Sequence, residues 1–268
     1  MKNTLEKRGG GDYNLSVGIF FLNHGKGQYD AEVFVIDPPQ DGIITISGAD
    51  AQHIGKSLRM AVGEELTVCR DGVDYRCEII GITREDVALR VISESKSSEP
   101  NIDLTLFMAM PKLDKLELIV QKSVELGAVR ICPVLTKRCI SRPDPERFQS
   151  KRERLQKIAL EAAKQSGRGI IPEVSDIISF DGCLRELSEM DLRIVCYEKG
   201  GVSLKEIGIE KGQKIGLFIG SEGGFEPGEI EILEKNGVKK AWLGDRTLRC
   251  ETAPLAAMSI IMFLTDNI

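Results

Sequence analysis

Ile215-Gly216-Leu217-Phe218-Ile219-Gly220-Ser221-Glu222-Gly223-Gly224-Phe225 begins as an apolar strand and breaks into a glycine-rich turn. A helix start follows at Pro227, then a second strand, Ala241-Trp242-Leu243. That strand runs into Gly244-Asp245-Arg246-Thr247-Leu248-Arg249-Cys250-Glu251-Thr252-Ala253-Pro254, directly before a strongly apolar final segment. Two strand-to-helix turns, one glycine-rich and one polar, are expected side by side where adjacent parallel strands end. Open α/β sheets bind their ligands at such ends. The stretch predicts a cofactor pocket.

Moving back along the chain, strands and helices alternate from Asn101 onward. Strands are expected at Leu104 to Met108, Val129 to Leu135, Leu192 to Tyr197, Ile215 to Ile219 and Val238 to Leu243. Lys112 to Leu126 reads as an amphipathic helix closed by Gly127, and Pro145 to Ser166 as a long one. This rhythm predicts a mostly parallel sheet covered on both faces. The last helix, Leu255 to Leu264, is apolar nearly all round, so burial within the domain or against another subunit is expected. Ahead of Asn101, short strands dominate, with Asp71-Gly72 as a tight-turn signal. They predict a β-rich module over 33–95, with Ala51 to Met60 as its one helix and Ser93 to Pro100 as a linker. Residues 1–32 show little periodicity and are expected to be a flexible extension.

Composition bounds the function. The 268 residues are 42% hydrophobic and 29% charged, as in an ordinary globular protein. No apolar run approaches the roughly 20 residues of a membrane span, and none fits a signal peptide. Seven cysteines without a C-x-x-C pair suggest reduced thiols in a cytosolic protein, and with His24 and His53 as the only histidines no structural metal site is expected. The net charge is −5, but from Lys137 to Arg168 ten basic residues meet four acidic ones, a local +6. The local field, not the sum, steers a polyanion.

Four groups of residues carry the expected chemistry. Gly220, Gly223 and Gly224 let the backbone reach positive φ and approach a ligand closely, and their N–H groups form a concave donor site. The spacing is not the G-x-G-x-x-G dinucleotide fingerprint, and Gly25-Lys26-Gly27 is not a phosphate loop. Arg246, Arg249 and Glu251 precede Thr252, which reads as a helix N-cap; the arginines suit an anionic or planar substrate. Arg138, Arg142, Arg147, Lys151, Arg154 and Arg168 form a phosphate-contacting surface. His53, Lys56 and Arg59 on one short helix are a further candidate RNA contact.

The paired segments Ile219 to Phe225 and Leu243 to Pro254 resemble the C-terminal motifs of the RsmE family. These are S-adenosylmethionine-dependent methyltransferases that act on N3 of a uridine in 16S ribosomal RNA. The similarity extends to Gln121-Lys122-Ser123-Val124-Glu125-Leu126-Gly127, to Lys157 through Arg168, and to His53 with Leu58-Arg59. Ser221, Cys250 and Ser57 stand where the family usually has proline, threonine and valine. Residues 1–32 have no family counterpart.

The resemblance implies a SPOUT-type parallel sheet with a C-terminal trefoil knot over 101–268, preceded by a small PUA-like β-barrel domain over 33–95, and a homodimer. It implies S-adenosylmethionine as cofactor, held by Leu217, Ile219, Gly220, Glu222, Gly223, Gly224, Leu243, Gly244 and Leu248. Arg249 and Glu251 become the catalytic candidates. Glu222, Glu251 and water remain open as proton acceptors. The substrate it implies is 16S rRNA within the small ribosomal subunit, in the cytoplasm. Two alternatives stand beside this reading: a SPOUT ribose 2′-O-methyltransferase, and a non-catalytic RNA-binding protein.

Overall fold

A computed structural model describes residues 33, 34 and 38–268; the expected N-terminal extension lies outside the described residues. The first module is a five-stranded curled sheet of β1 (Val33–Phe34), β2 (Ile43–Ser47), β3 (Glu65–Arg70), β4 (Val73–Ile82) and β5 (Asp86–Lys96), in the order β1-β3-β4-β5-β2. All pairs are antiparallel except β1 with β3. Asp71 and Gly72 join β3 to β4 with φ of 48° and 77°, the left-handed pair a two-residue hairpin needs. Ile54, Leu66, Val68, Ile79, Val87 and Leu89 fill its core.

Two expectations here are corrected. The single helix over Ala51 to Met60 is α1 (Gly48–Gln52) followed by a π turn (His53–Ser57), and Arg59 then turns left-handed at φ 53°. The linker is also shorter than expected. β5 continues to Lys96, paired along the outer end of β4 with Val73 opposite Lys96. That end is exposed and polar, so its sequence resembles a loop although its backbone completes a sheet.

The second module carries β6 (Asp103–Ala109), α2 (Leu113–Glu125), β7 (Ala128–Leu135), α3 (Pro145–Ser166), β8 (Glu173–Val174), β9 (Ile178–Ser179), α4 (Phe180–Ser188), β10 (Leu192–Cys196), β11 (Val202–Ser203), β12 (Lys214–Ile219), α5 (Pro227–Lys235), β13 (Lys239–Trp242) and α6 (Thr252–Leu264). Its eight-stranded sheet runs β11-β13-β10-β12-β6-β7-β8, with β9 also beside β7, and every pair is parallel. The helix bounds follow local chemistry. Asp144 caps α3 by accepting from the Glu146 N–H at 3.0 Å, Pro145 occupies the first turn, and Gly167 ends it at φ 70°. Phe218 stacks edge-on against Phe225 at 4.9 Å, which pins the start of the glycine turn into the core.

The expected adjacency of the two turns is also revised. β12 and β13 do not pair with each other; β10 lies between them. Strand order is a non-local property, and β10 brings its own C-terminal residues into the space between the turns. No helix among the described residues is long and apolar enough to cross a membrane. In α6, Ala257, Met258, Ile261 and Met262 are buried, while Phe263 is 66% exposed.

The modules meet at definite contacts. Gly72 N–H donates to the Gly169 carbonyl at 3.0 Å, and Lys164 pairs with Asp50 at 3.0 Å. The Ser97 side chain fills the place of a Cβ at Gly169, whose ideal position lies 2.0 Å from Ser97 Oγ.

Candidate active site

A cleft of about 420 Å³ opens at the C-terminal ends of β10, β12 and β13. Four of the residues that line it are glycines, Gly220, Gly223, Gly224 and Gly244. Ile219, Gly220, Glu222, Gly223, Gly224, Leu243, Gly244, Leu248 and Arg249 line it together. Each glycine has its own reason. A Cβ at Gly220 would lie 3.2 Å from the Gly224 Cα and the Phe225 ring; one at Gly223 would lie 2.9 Å from the Arg138 carbonyl oxygen. Gly224 and Gly244 adopt φ of 65° and 110°, and a Cβ on Gly244 would meet nothing within 4 Å. Gly220 lets the loop close on itself, Gly223 lets it pack against the Arg138 backbone, and Gly224 and Gly244 supply left-handed backbone, with open space beside Gly244.

Lys115 was not singled out by the motifs, yet it is central. From the first turn of α2 its ammonium reaches Glu251 Oε2 at 2.9 Å and Glu222 Oε1 at 3.3 Å. Glu222 also accepts from the Lys112 N–H at 3.1 Å, and the Cys250 thiol donates to Glu251 at 3.3 Å. The Lys115 ammonium is held above its usual value, chiefly by the bond to Glu251 and against partial burial. Partial burial pushes the Glu222 carboxyl up, but its own and the Lys112 N–H groups with the Lys115 ammonium bring it below the usual carboxylate value. The Lys115 ammonium likewise lowers Glu251, against a smaller burial effect. Burial pushes the Cys250 thiol up to about 12, so it stays protonated and inert.

Other residues are missed for related reasons. Tyr197 and Glu198 follow β10, which sits between the two turns, and both line the cleft. The Glu198 carboxylate lies 3.4 Å from the position of a Cβ on Gly224. For Lys115 a signal existed: a cation in the first turn of a helix opposes the macrodipole and calls for an anionic partner.

The remaining candidates divide. Leu217 is fully buried in β12 and does not line the cleft; it lies two residues further back along the strand than Ile219, which does. Thr252 is not the N-cap. Glu251 occupies that position, and the Thr252 and Ala253 N–H groups instead donate to the Arg249 carbonyl at 2.8 and 2.9 Å. Arg246 and Arg249 are exposed at the rim. Arg138 is half-buried, donates to the Gly223 carbonyl at 3.3 Å and pairs with Glu226. Arg142 is exposed and donates to the Thr136 carbonyl at 2.8 Å.

On α3, Arg147 is exposed with no ion pair among the described residues, while Lys151 and Arg154 both face Glu117 of α2, at 3.7 and 2.9 Å. Arg168 is corrected outright. It is only 4% exposed, with its guanidinium on the Glu99 carboxylate and on the Val124 and Ala128 carbonyls, so it has no face left for a phosphate. In the first module Lys56 and Arg59 are exposed; His53 is half-buried, its Nε2 without a hydrogen-bond partner among the described residues.

Residues 98–262 match the family model of an RNA methyltransferase domain, and residues 46–92 that of an RNA methyltransferase PUA domain. The chain is 35% identical to ribosomal RNA small subunit methyltransferase E of Bacillus subtilis over 231 residues, covering 83% of this chain and 90% of that protein. The enzyme of the same name from Aquifex aeolicus is 27% identical, covering 86% and 98%. Among solved structures, a methyltransferase of Legionella pneumophila in complex with S-adenosylmethionine superposes with a TM-score of 0.77 at 29% identity, covering 89% of this chain and 99% of that one. Ribosomal RNA small subunit methyltransferase E of Neisseria gonorrhoeae, bound to S-adenosylmethionine, gives 0.77 at 25% identity, covering 88% and 98%.

Proposed function

The chain belongs to the RNA methyltransferase family whose members carry the name ribosomal RNA small subunit methyltransferase E, and we propose that it methylates N3 of a uridine in 16S ribosomal RNA with S-adenosylmethionine as donor. The observation that carries this reading is the cleft itself, lined by four glycines and rimmed by Arg246 and Arg249. The residues fit the donor: two left-handed glycines and a loop in which a Cβ would collide leave N–H groups and space for its polar and planar parts.

When bound, the donor supplies an electrophilic methyl carbon whose bond to sulfur breaks as the bond to N3 forms. Ile219, Gly220, Gly223, Gly224, Leu243, Gly244 and Leu248 orient it, with Leu217 supporting them from the core. Alignment is the largest contribution, since oriented reactants reach effective molarities of about 10⁵–10⁸ M. Arg249 stabilises the negative charge that grows on the uracil carbonyl oxygens. Glu222 and Glu251, tied to Lys115, hold the site's shape, and the imide proton is lost to bulk solvent, where hydroxide or a buffer base takes it up.

The target edge of uracil is used in base pairing, so the nucleotide enters unpaired or flipped out. Residues 33–95 act as a PUA-like barrel and 101–268 as the knotted SPOUT domain. His53, Lys56 and Arg59 with Arg138, Arg142, Arg147, Lys151 and Arg154 hold the flanking backbone. The small ribosomal subunit in the cytoplasm is the setting, and a homodimer formed through the apolar α6 is the active species.

The test is methylation of 16S transcript and small subunits, followed by nucleoside digestion and mass spectrometry. N3-methyluridine is expected; a 2′-O-methyl nucleoside supports the ribose reading instead, and RNA binding without donor binding supports a non-catalytic module. Arg249→Ala is expected to lower turnover by about 10²–10³-fold while donor affinity holds.

A further inference from the structure

Lys115 touches both loops of the cleft and neither motif contains it. Glu222 belongs to the glycine loop after β12, and Glu251 heads α6 at the end of the polar loop. One ammonium reaches both, with side-chain exposures of 29%, 20% and 19% for Lys115, Glu222 and Glu251. It also lies 3.6 Å from the Cys250 sulfur. The polar loop transmits this anchor backwards, because the Arg249 carbonyl accepts from the first two N–H groups of α6. Fixing the Glu251 side chain thus fixes the backbone of Arg249, while fixing Glu222 fixes the turn that carries Gly223 and Gly224.

We propose that Lys115 is a positioning residue: a strut between Glu222 and Glu251 that sets the spacing between the donor-binding glycine loop and the arginine loop that presents the acceptor base. The proposal rests on reading the cleft as the donor site. Its position supports a permanent charge rather than proton transfer. The lysine stands in the first turn of α2, where the macrodipole repels it, and the two carboxylates supply the compensation. Both carboxylates lie below and the ammonium above their ordinary values, so all three keep their charges across the neutral range. The other charged or titratable groups facing the cleft are Glu198, Asp245, Arg246, Arg249, Tyr197 and the Cys196 and Cys250 thiols.

The test uses the full chain with Lys115→Met and Lys115→Arg, reading kcat, KM for 16S transcript, donor Kd by calorimetry, and thermal melting. Lys115→Met is expected to lower kcat by about a hundredfold, the cost of a displacement of roughly 1 Å, with KM for RNA unchanged; melting falls but stays above the assay temperature. Lys115→Arg is expected to restore most of kcat, since a guanidinium also bridges two carboxylates. Adding Glu251→Gln to Lys115→Met removes the surplus negative charge, and no recovery is expected.

Recovery there would reduce the lysine to charge balance and overturn the proposal, as would a normal kcat in Lys115→Met. Should Lys115→Met fail to fold, Glu222→Gln and Glu251→Gln each release one end of the strut. Both are then expected to lower kcat below their unfolding transitions, and unchanged kcat in both would overturn it. A wild-type chain that binds no donor refutes the cleft reading itself. A wild type that binds and turns over beside an unimpaired Lys115→Met refutes the strut alone.

Discussion

Glu222 and Glu251 show how a side chain's environment overrides its type. By sequence both are carboxylates near a site where a proton must leave. In the fold, partial burial of Glu222 is outweighed by two N–H groups and the Lys115 ammonium, and Glu251 sits directly on the same ammonium. Both therefore stay ionised below the usual carboxylate value of 4.5. A group whose folded pKa is depressed adds stability that is present above its unfolded pKa and lost as pH falls through the folded one. The wild-type chain is expected to lose stability progressively below about pH 4.5, and a Glu222→Gln, Glu251→Gln double variant to lose less over the same range. Urea unfolding at a series of pH values checks this. Identical slopes for both chains would show that the two carboxylates carry no linkage. The residues of the cleft were legible where the backbone must do something only glycine allows, as at Gly223 and Gly224. Lys115 and Glu198 were not, because their importance lies in what α2 and β10 place opposite them.

Helix α3 is the element whose bounds were most legible: Pro145 to Ser166, between an Asp144 cap and Gly167. Its surface charge was legible only in part. Counted along the chain, the bases of 137–168 lack neighbouring acids. Packed against α2, Lys151 and Arg154 face Glu117, and Arg152 meets Asp176. Arg147, exposed and without an ion pair among the described residues, gives up no ion pair to meet a phosphate, and the same holds for Lys157. Each phosphate neutralised contributes about −0.7 to the slope of log K against log salt for single strands and about −0.9 for duplex. Arg147→Ala is expected to flatten the slope of RNA binding by nearly that amount. Arg154→Ala, which also frees Glu117 to repel phosphate, is expected to weaken binding with a smaller change in slope. Binding to 16S fragments across a salt series separates the two. The strand order β13-β10-β12 belongs to the same lesson: the strands were legible from alternation, but their neighbours depend on crossovers no local pattern encodes.

At the scale of the whole molecule, the junction of the modules is where a residue expected to bind RNA does something else. Arg168 follows the cap of α3 and turns inward. Its Nε lies 2.9 Å from both Glu99 oxygens, and its Nη1 donates to Val124 and Ala128 carbonyls from the end of α2 and the start of β7. Glu99 in turn accepts from the Gly169 N–H at 2.8 Å, and the Gly169 carbonyl accepts from Gly72 in the first module. One guanidinium thus ties the strand leaving the first module to the helix carrying the basic face. A buried charge pair that loses one partner costs about 3–5 kcal/mol, because the other charge stays desolvated. Glu99 is 19% exposed, so Arg168→Met is expected near the lower end, about 3 kcal/mol by urea unfolding. Arg168→Lys is expected to recover little, since a single ammonium cannot reproduce a planar fork aimed at a carboxylate and two carbonyls. The cleft lies elsewhere, at the ends of β10, β12 and β13. Donor affinity should therefore hold in Arg168→Met below its unfolding transition, while affinity for RNA, which needs both modules in register, should fall. Loss of donor binding with RNA binding intact would place Arg168 in the cleft's support and sink its role at the junction.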